Sequence, residues 1–573
     1  MNGTQLTQDL NLEDFIALPN TMPLIMSNEY LRTDVFRQSH NIRKGTDLYG
    51  GYSIDYVNRT EVDHILAEIA SDELTMFPIV LGLLDQQGLE STGIIPLHQH
   101  PYLDLRGQGT LIGFVDTGID YTKDAFQYSN GASKIQYIWD QTIQGNAPKG
   151  FFFGTEYAKT QINSALRSEN PQTVVPHRDT VGHGTFLASI AASRESGNYI
   201  GAAPDAEIIA VKLKRASPFH YEQALIPEWQ ENAYTASDFM LGVEYIIRKA
   251  DELGHPVVIC VAVGSTFGGN SGHSTIERYL SRISSINGVA VVCAAGNESQ
   301  GGRHTNGKFI RNGESKNFDL SVGQRAEDFY LSLWNNAPDL IAVSITSPTG
   351  EIIPKIPVRQ GASYTANLVL ERSRVTIDYF LPAKISGDQF TRIRILQPTP
   401  GIWTITVHGE IVLNGEYHLW LPLSGFIDPD TSFLIPNPNY TIVLPASATG
   451  VITCGAYDSQ NNSLYTNSSW GPTRGAMISP DFVAPGVNVG GIFPSGYGHM
   501  SGTSVSAAIT AGACALMMQW GIVDGNETAL TTARIKAYLI RGCDRDFFMT
   551  YPNAQWGYGK LNLLNTLHSM RSK

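Results

Sequence analysis

The chain is poor in charge, in cysteine and in long apolar runs, and each shortage excludes something. Charged residues make up 16% of its 573 positions, with 40 Lys and Arg against 53 Asp and Glu. The formal net charge of −13 offers no basic patch from which a nucleic-acid interface starts, so no nucleic acid is expected as a partner. Anionic membrane surfaces are disfavoured by the same charge. No apolar run reaches the roughly 18 residues that a spanning helix needs, so no membrane span is expected. Residues 1–15 show neither a basic start nor an apolar stretch, so no signal peptide is visible and a location inside the cell is expected. The five cysteines, Cys260, Cys293, Cys454, Cys514 and Cys543, are odd in number and lie mostly in apolar runs. They read as reduced core thiols in a reducing compartment. No CxxC or Cys/His ligand spacing is present, and no metal site is assigned.

What the chain does have is three polar residues in unusual settings. Asp116 ends the apolar strand pattern 110–115 and is followed by Thr117-Gly118. His183 sits between Gly182 and Gly184 at the opening of an Ala-rich stretch. Ser504 lies in Gly502-Thr503-Ser504-Val505-Ser506-Ala507-Ala508, just before the apolar run 511–520. A serine hydroxyl becomes a nucleophile when a neighbouring base takes its proton. His183 suits that base, and Asp116 suits the group that fixes the imidazole tautomer. The carboxyl end of a buried strand is also where α/β sheets place their sites.

The order Asp, His, Ser is the one used by subtilisin, and the surrounding blocks resemble the subtilase family of serine proteases. Val115-Asp116-Thr117-Gly118-Ile119-Asp120 resembles its Asp block and Gly182-His183-Gly184-Thr185-Phe186-Leu187-Ala188 its His block. Ala294-Ala295-Gly296-Asn297 resembles its oxyanion-asparagine block. Ser469-Trp470-Gly471-Pro472-Thr473, Asp481-Phe482-Val483-Ala484-Pro485-Gly486 and Gly557-Tyr558-Gly559-Lys560-Leu561-Asn562 resemble its later motifs. The resemblance implies an endopeptidase with Asp116, His183 and Ser504 as triad, and an oxyanion hole made by Asn297 and the Ser504 N–H. It also implies a protein or peptide substrate, bound as an added strand along Ser265, Thr266, Phe267 and Gly268. Calcium is common in subtilases, but no acidic loop here has convincing ligand spacing, and no cofactor is expected. His98 and His100 form His-Gln-His, which is read as a surface loop rather than a metal site.

The texture of the chain divides it into four stretches. Residues 1–87 combine a polar tail, up to about residue 20, with an α+β pattern: strand-like 52–57, helix-like 61–69 and strand-like 77–84. This is where a subtilase carries its propeptide. Residues 88–302 alternate near-continuous apolar strands with helices, which indicates a parallel sheet covered on both faces. Residues 303–435 change to short alternating segments punctuated by Gly, Pro and Asn, the pattern of an inserted antiparallel β-sandwich or jelly roll. Residues 436–573 complete the catalytic part. The expected fold class is α/β, subtilisin-like, with an N-terminal α+β propeptide and an inserted β domain that is dispensable for the chemistry.

Within subtilases this layout is similar to the Csp germination proteases of spore-forming clostridia, which lack a signal peptide and carry a propeptide and a jelly-roll insertion. That resemblance implies activation of a spore cortex-lytic zymogen, in the cytoplasm or spore of an anaerobic bacterium. It also implies one self-cleavage between about residues 84 and 91, with Gln86 or Gln87 as the residue before the cut. Two alternatives stay open: a general intracellular or cell-associated subtilase with other substrates, and a pseudoprotease acting as a signalling scaffold.

Overall fold

A computed structural model describes residues 10–27, 33–69, 76–83, 90–98, 103–195, 199–383, 386–475 and 477–571. Strand Leu111–Asp116 is buried at every position, because its alternate side chains enter two different cores. Ile112 and Phe114 join one with Leu187 and Leu516, and Leu111 and Val115 join the other with Phe239 and Tyr279. A strand covered on both faces has no solvent side, which is why its sequence reads as one apolar run.

Around it runs a nine-stranded, mostly parallel sheet. Leu111–Asp116 pairs in parallel with Val257–Val261 on one edge and Glu207–Lys212 on the other. Val289–Ala294 follows Val257–Val261, and Ile452–Asp458 follows that, both in parallel. Helices His183–Ala192 and Thr503–Met518 cover one face, and Ala236–Leu253 and Thr275–Ile283 cover the other. Their ends carry local stop signals. Thr235 Oγ1 accepts the Asp238 N–H before Ala236–Leu253, and Gly254 closes that helix at φ +69°, the left-handed position that glycine takes without steric cost. Among the described residues one helical stretch, Thr503–Val523, is long and apolar enough to cross a membrane. In its most apolar window 89% of the residues are buried inside the protein, as in a core helix.

The N-terminal region forms an antiparallel sheet of Thr21–Ser27, Tyr52–Asn58 and Arg43–Leu48, with Tyr52–Asn58 central. One face packs on the two helices of the second core: Tyr52 meets Tyr279 edge-on at 6.3 Å, and Glu244 accepts the Tyr49 N–H at 2.9 Å. The polar tail expected up to residue 20 folds from residue 10 onward. Asn11 caps helix Leu12–Ile16, and Phe15 is buried beneath the Arg43 guanidinium, 4.3 Å from the ring centroid. Leu10, Leu12, Ile16 and Leu18 pack against the same core as Phe15, so the segment docks through an apolar side that the reading as a polar tail missed.

Residues 304–433 form two antiparallel sheets, of six and five strands. They share one core, to which Leu331, Ile377 and Ile393 come from one sheet and Val343, Trp403 and Ile405 from the other.

Candidate active site

Asp116 leaves its strand at the carboxyl end and both its carboxylate oxygens accept from His183 Nδ1, at 2.8 and 2.9 Å. The Thr117 N–H also donates to Oδ1 at 2.7 Å, which fixes the carboxylate plane. His183 is the first residue of helix His183–Ala192. Close approach explains its flanking glycine: a Cβ on Gly184 would collide with the Gly118 carbonyl oxygen. Asp179, four positions upstream, holds this corner. Its Oδ1 accepts the N–H groups of Val181 and Gly182 at 3.2 and 2.8 Å, and its Oδ2 accepts the Thr185 N–H and hydroxyl at 2.9 and 2.6 Å. The carboxylate thus satisfies donors at a helix start, where negative charge is favoured.

A second imidazole supports the same corner from beneath. His177 and Asp140 are both fully buried, and His177 Nδ1 donates to Asp140 Oδ2 at 2.6 Å. His177 Nε2 accepts the Ile119 N–H at 3.2 Å, so this ring is the neutral Nδ1–H tautomer. Burial opposes the charge on Asp140, but its hydrogen bonds from His177 and Thr142 hold the carboxyl below its ordinary range.

Ser504 is the second residue of helix Thr503–Met518 and is fully buried. Its backbone N–H therefore points from a helix N-terminus, where developing negative charge is stabilised. Among the described residues its Oγ has no hydrogen-bond partner. Asn297 follows strand Val289–Ala294 through Gly296, which takes φ +105°. Asn297 Oδ1 accepts the Thr503 N–H at 3.1 Å and the Thr503 hydroxyl at 3.2 Å. With the amide oxygen held by the residue before the serine, Nδ2 is the end of the amide that can donate to an oxyanion. Asp116 with His183, and Asn297 with the Thr503-Ser504 helix start, thus lie as two hydrogen-bonded groups at the carboxyl edge of one sheet.

The groove beside them is occupied by the chain itself. Strand Val80–Leu83 pairs antiparallel with Val263–Gly264 on one side, Leu83 with Val263 and Gly82 with Gly264. On the other side Val80 pairs with Thr235 and Leu81 with Tyr234. The strand expected over 77–84 begins only at Val80, since Pro78 has no N–H to offer a ladder. Gln86 and Gln87 lie outside the described residues, as does His100. His98 is buried rather than in a surface loop: its Nε2 donates to the Ala202 carbonyl at 2.9 Å, and burial lowers its basicity.

The segment after Gly264 departs from the expected substrate wall. Ser265 pairs backbone to backbone with Leu444, at 2.9 and 3.0 Å. The Thr266 hydroxyl donates to the Leu421 carbonyl at 2.9 Å. Phe267 packs edge-on against Tyr330 and Phe390, at 5.2 and 5.7 Å, and a Cβ on Gly268 would meet the Leu444 side chain. All four residues thus abut structural partners, and Phe267 is rooted in the inserted sandwich. Tyr330, Arg392 and Phe426 line a cavity of about 90 Å³ beside the groove, together with Val80, His220 and Phe267. Sequence reading missed Asp179, His177 with Asp140, and this sandwich wall. Only Asp179 left a signal, as an acidic residue just before a helix start.

The subtilase family matches residues 107–374 and 430–559. A solved structure, the CspB protease of Clostridium perfringens, is 32% identical, with a TM-score of 0.75 over 84% of this chain and 97% of that one. The PIII-type proteinase of Lactococcus lactis subsp. cremoris is 23% identical over 466 residues, 72% of this chain but only 22% of its own length. The serine protease AprX of Bacillus subtilis is 32% identical over 148 residues, 22% of this chain and 32% of that protein. With its aspartate, histidine and serine in this chain order on a parallel sheet, the chain belongs to the subtilase family.

Proposed function

We propose that this chain is a serine endopeptidase that first severs its own N-terminal region and then cleaves a protein substrate. In its specific form, that substrate is a spore cortex-lytic zymogen activated during germination of an anaerobic spore-forming bacterium. Ser504 Oγ attacks the peptide carbonyl as its proton passes to His183. The tetrahedral oxyanion is held by Asn297 Nδ2 and the Ser504 N–H. His183 returns the proton to the leaving amine, and water then releases the acyl group by the same path. Asp116 stabilises the imidazolium without taking the proton. The bare Ser504 Oγ fits an unloaded nucleophile whose bond to His183 tightens once substrate is in place.

The observation that carries the reading is strand Val80–Leu83, held between Val263–Gly264 and Tyr234–Thr235. A peptide added as the middle strand of three is the posture of a bound substrate, and it leads directly toward residues 84–91, with Gln86 and Gln87 as the proposed cut. Five unpaired, buried cysteines fit a cytoplasmic or spore interior.

Intact-mass analysis of the purified chain tests this, together with fluorophosphonate labelling. The wild type should lose its N-terminal region once and take up one label. Ser504→Ala should stay full length and unlabelled, with turnover reduced by about 10⁶. A wild type that stays full length removes self-processing, and label uptake by Ser504→Ala removes the nucleophile. Purified cortex-lytic zymogen left uncut by unlabelled enzyme from a preparation that takes up the probe would remove the germination role.

A further inference from the structure

We propose that Leu423 and Phe426, at the exit of the inserted sandwich, make this protease select glycine at one substrate position, the residue that lies opposite Gly264. The inference rests on the reading of the groove as the substrate site. It adds a specificity rule: extended segments of the form apolar, apolar, Gly, apolar.

Gly82 occupies that position in the chain's own strand. It is not among the glycines with positive φ, so its backbone conformation does not call for glycine. Space does. A Cβ there would lie 2.8 Å from Leu423 Cδ2 and 3.2 Å from Phe426 Cζ, well inside the ~3.5–4.0 Å at which carbon atoms attract. Neither wall residue can easily retreat, being only 2% and 5% exposed. The loop that carries them is fastened along its length. Leu421 N–H donates to the Arg303 carbonyl at 2.8 Å, and the Leu421 carbonyl accepts the Thr266 hydroxyl. The Ser424 N–H and hydroxyl both donate to Glu298 Oε2, at 3.1 and 2.8 Å. Gln230 Nε2 donates to the Gly425 carbonyl at 2.9 Å. The strand is itself held on both edges, by Val263–Gly264 and by Tyr234–Thr235.

The neighbouring positions complete the pattern. Leu81 is fully buried in the core that holds Tyr234 and Val263. Val80 lines the cavity walled by Phe219, Tyr330 and Phe426. A polar residue at either place would be desolvated, although His220 Nε2, buried and unpartnered among the described residues, faces the latter cavity. A small apolar residue fits there without displacing anything.

A cycle of Gly82→Ala and Leu423→Ala tests this in two backgrounds. In the otherwise native chain, self-cleavage is followed by intact mass. Gly82→Ala should slow it about tenfold or more, as overpacking does, and adding Leu423→Ala should bring it back to within about threefold of wild type. In a Ser504→Ala background the strand stays attached. There, hydrogen exchange at the amides of 80–83 should quicken about tenfold with Gly82→Ala and recover with Leu423→Ala. If Leu423→Ala does not fold, Leu423→Val shortens the same side chain. Gly82→Ala with unchanged exchange, or loss not relieved at position 423, overturns the proposal. A native chain that never cleaves itself while exchange follows the cycle would overturn the self-processing reading and leave the selective wall in place.

Discussion

Asp179→Ala should damage both folding and catalysis, because one carboxylate holds four donors around the helix start that carries His183. Its oxygens accept from Val181, Gly182 and twice from Thr185, and its side chain is buried. Loss of a helix-start acceptor costs about 1 kcal/mol. Each buried donor then left unpaired adds roughly 1–3 kcal/mol, less where water enters the space of the lost carboxyl. A destabilisation of about 3 kcal/mol is therefore expected in urea unfolding. The chemistry should suffer separately. The Thr185 hydroxyl that Asp179 holds also accepts the Asp120 N–H at 2.9 Å, so the Asp116 and His183 loops are tied through it. With that tie gone, the imidazole loses its fixed aim. A misplacement of about 1 Å can cost about 10²-fold, so fluorophosphonate labelling at a temperature where the variant is folded should slow by one to two orders of magnitude. Asp179→Asn keeps one acceptor oxygen and should fall between. A variant within about 0.5 kcal/mol of wild type, labelling at the wild-type rate, would refute the assignment.

Two further expectations follow from the sandwich and its anchorage. His304 lies in a buried cluster, with Nδ1 at 2.9 Å from the Asn437 carbonyl, Nε2 at 3.1 Å from His418 Nδ1 and its ring packed on Trp420 and Tyr440, and burial lowers its pKa to about 4. Its unfolded form takes a proton near pH 6.5, so its stabilising share is complete above that pH and is lost as pH falls from about 6.5 to 4. Urea unfolding should weaken by about 3 kcal/mol across this window, and the slope should flatten in His304→Gln; an unchanged slope would discount the cluster. Arg474 is the buried pin between the two parts, donating to Asn336 Oδ1 at 2.6 Å and to Asp388 Oδ2 and the Gly269 carbonyl at 3.1 Å each. Arg474→Met should destabilise by about 3 kcal/mol because it strands Asp388. Arg474→Lys should recover little of this, since an ammonium lacks the planar fork; full recovery would show that charge alone matters there.

The parts of the molecule that were legible in the sequence are those in which the backbone itself is constrained. Asp116, His183, Asn297 and Ser504 each sit where a strand ends or a helix begins, and glycine accompanies them because close approach or positive φ leaves no room for a side chain. Such demands are local, so they are written in adjacent letters. The change of texture near residue 303 is local in the same sense: strands such as Gly401–Ile411 alternate because one face is wet, although Phe329–Asn335 is buried at every position. The docked segment at Phe15 and the burial of His98 were illegible for the opposite reason. Each contact involves a partner far along the chain, Arg43 and Ala202 respectively.

Phe267 marks the boundary between these two kinds of information. Its neighbours Val263 and Gly264 pair with the groove strand as the motif implies. Its own ring is committed to Tyr330 and Phe390, residues that no local pattern connects to it. The insertion follows Asn297 by only a few positions, and Glu298 between them ties it back through Ser424. Glu298 is buried, and burial raises its carboxyl pKa, so the tie costs desolvation that a merely tethered lobe would not require. A lobe free of the site would leave Glu298 in water and Gly82 unopposed. Both are instead enclosed by the loop that carries Leu423, Ser424 and Phe426, which makes the sandwich a wall of the groove rather than an appendage to the enzyme.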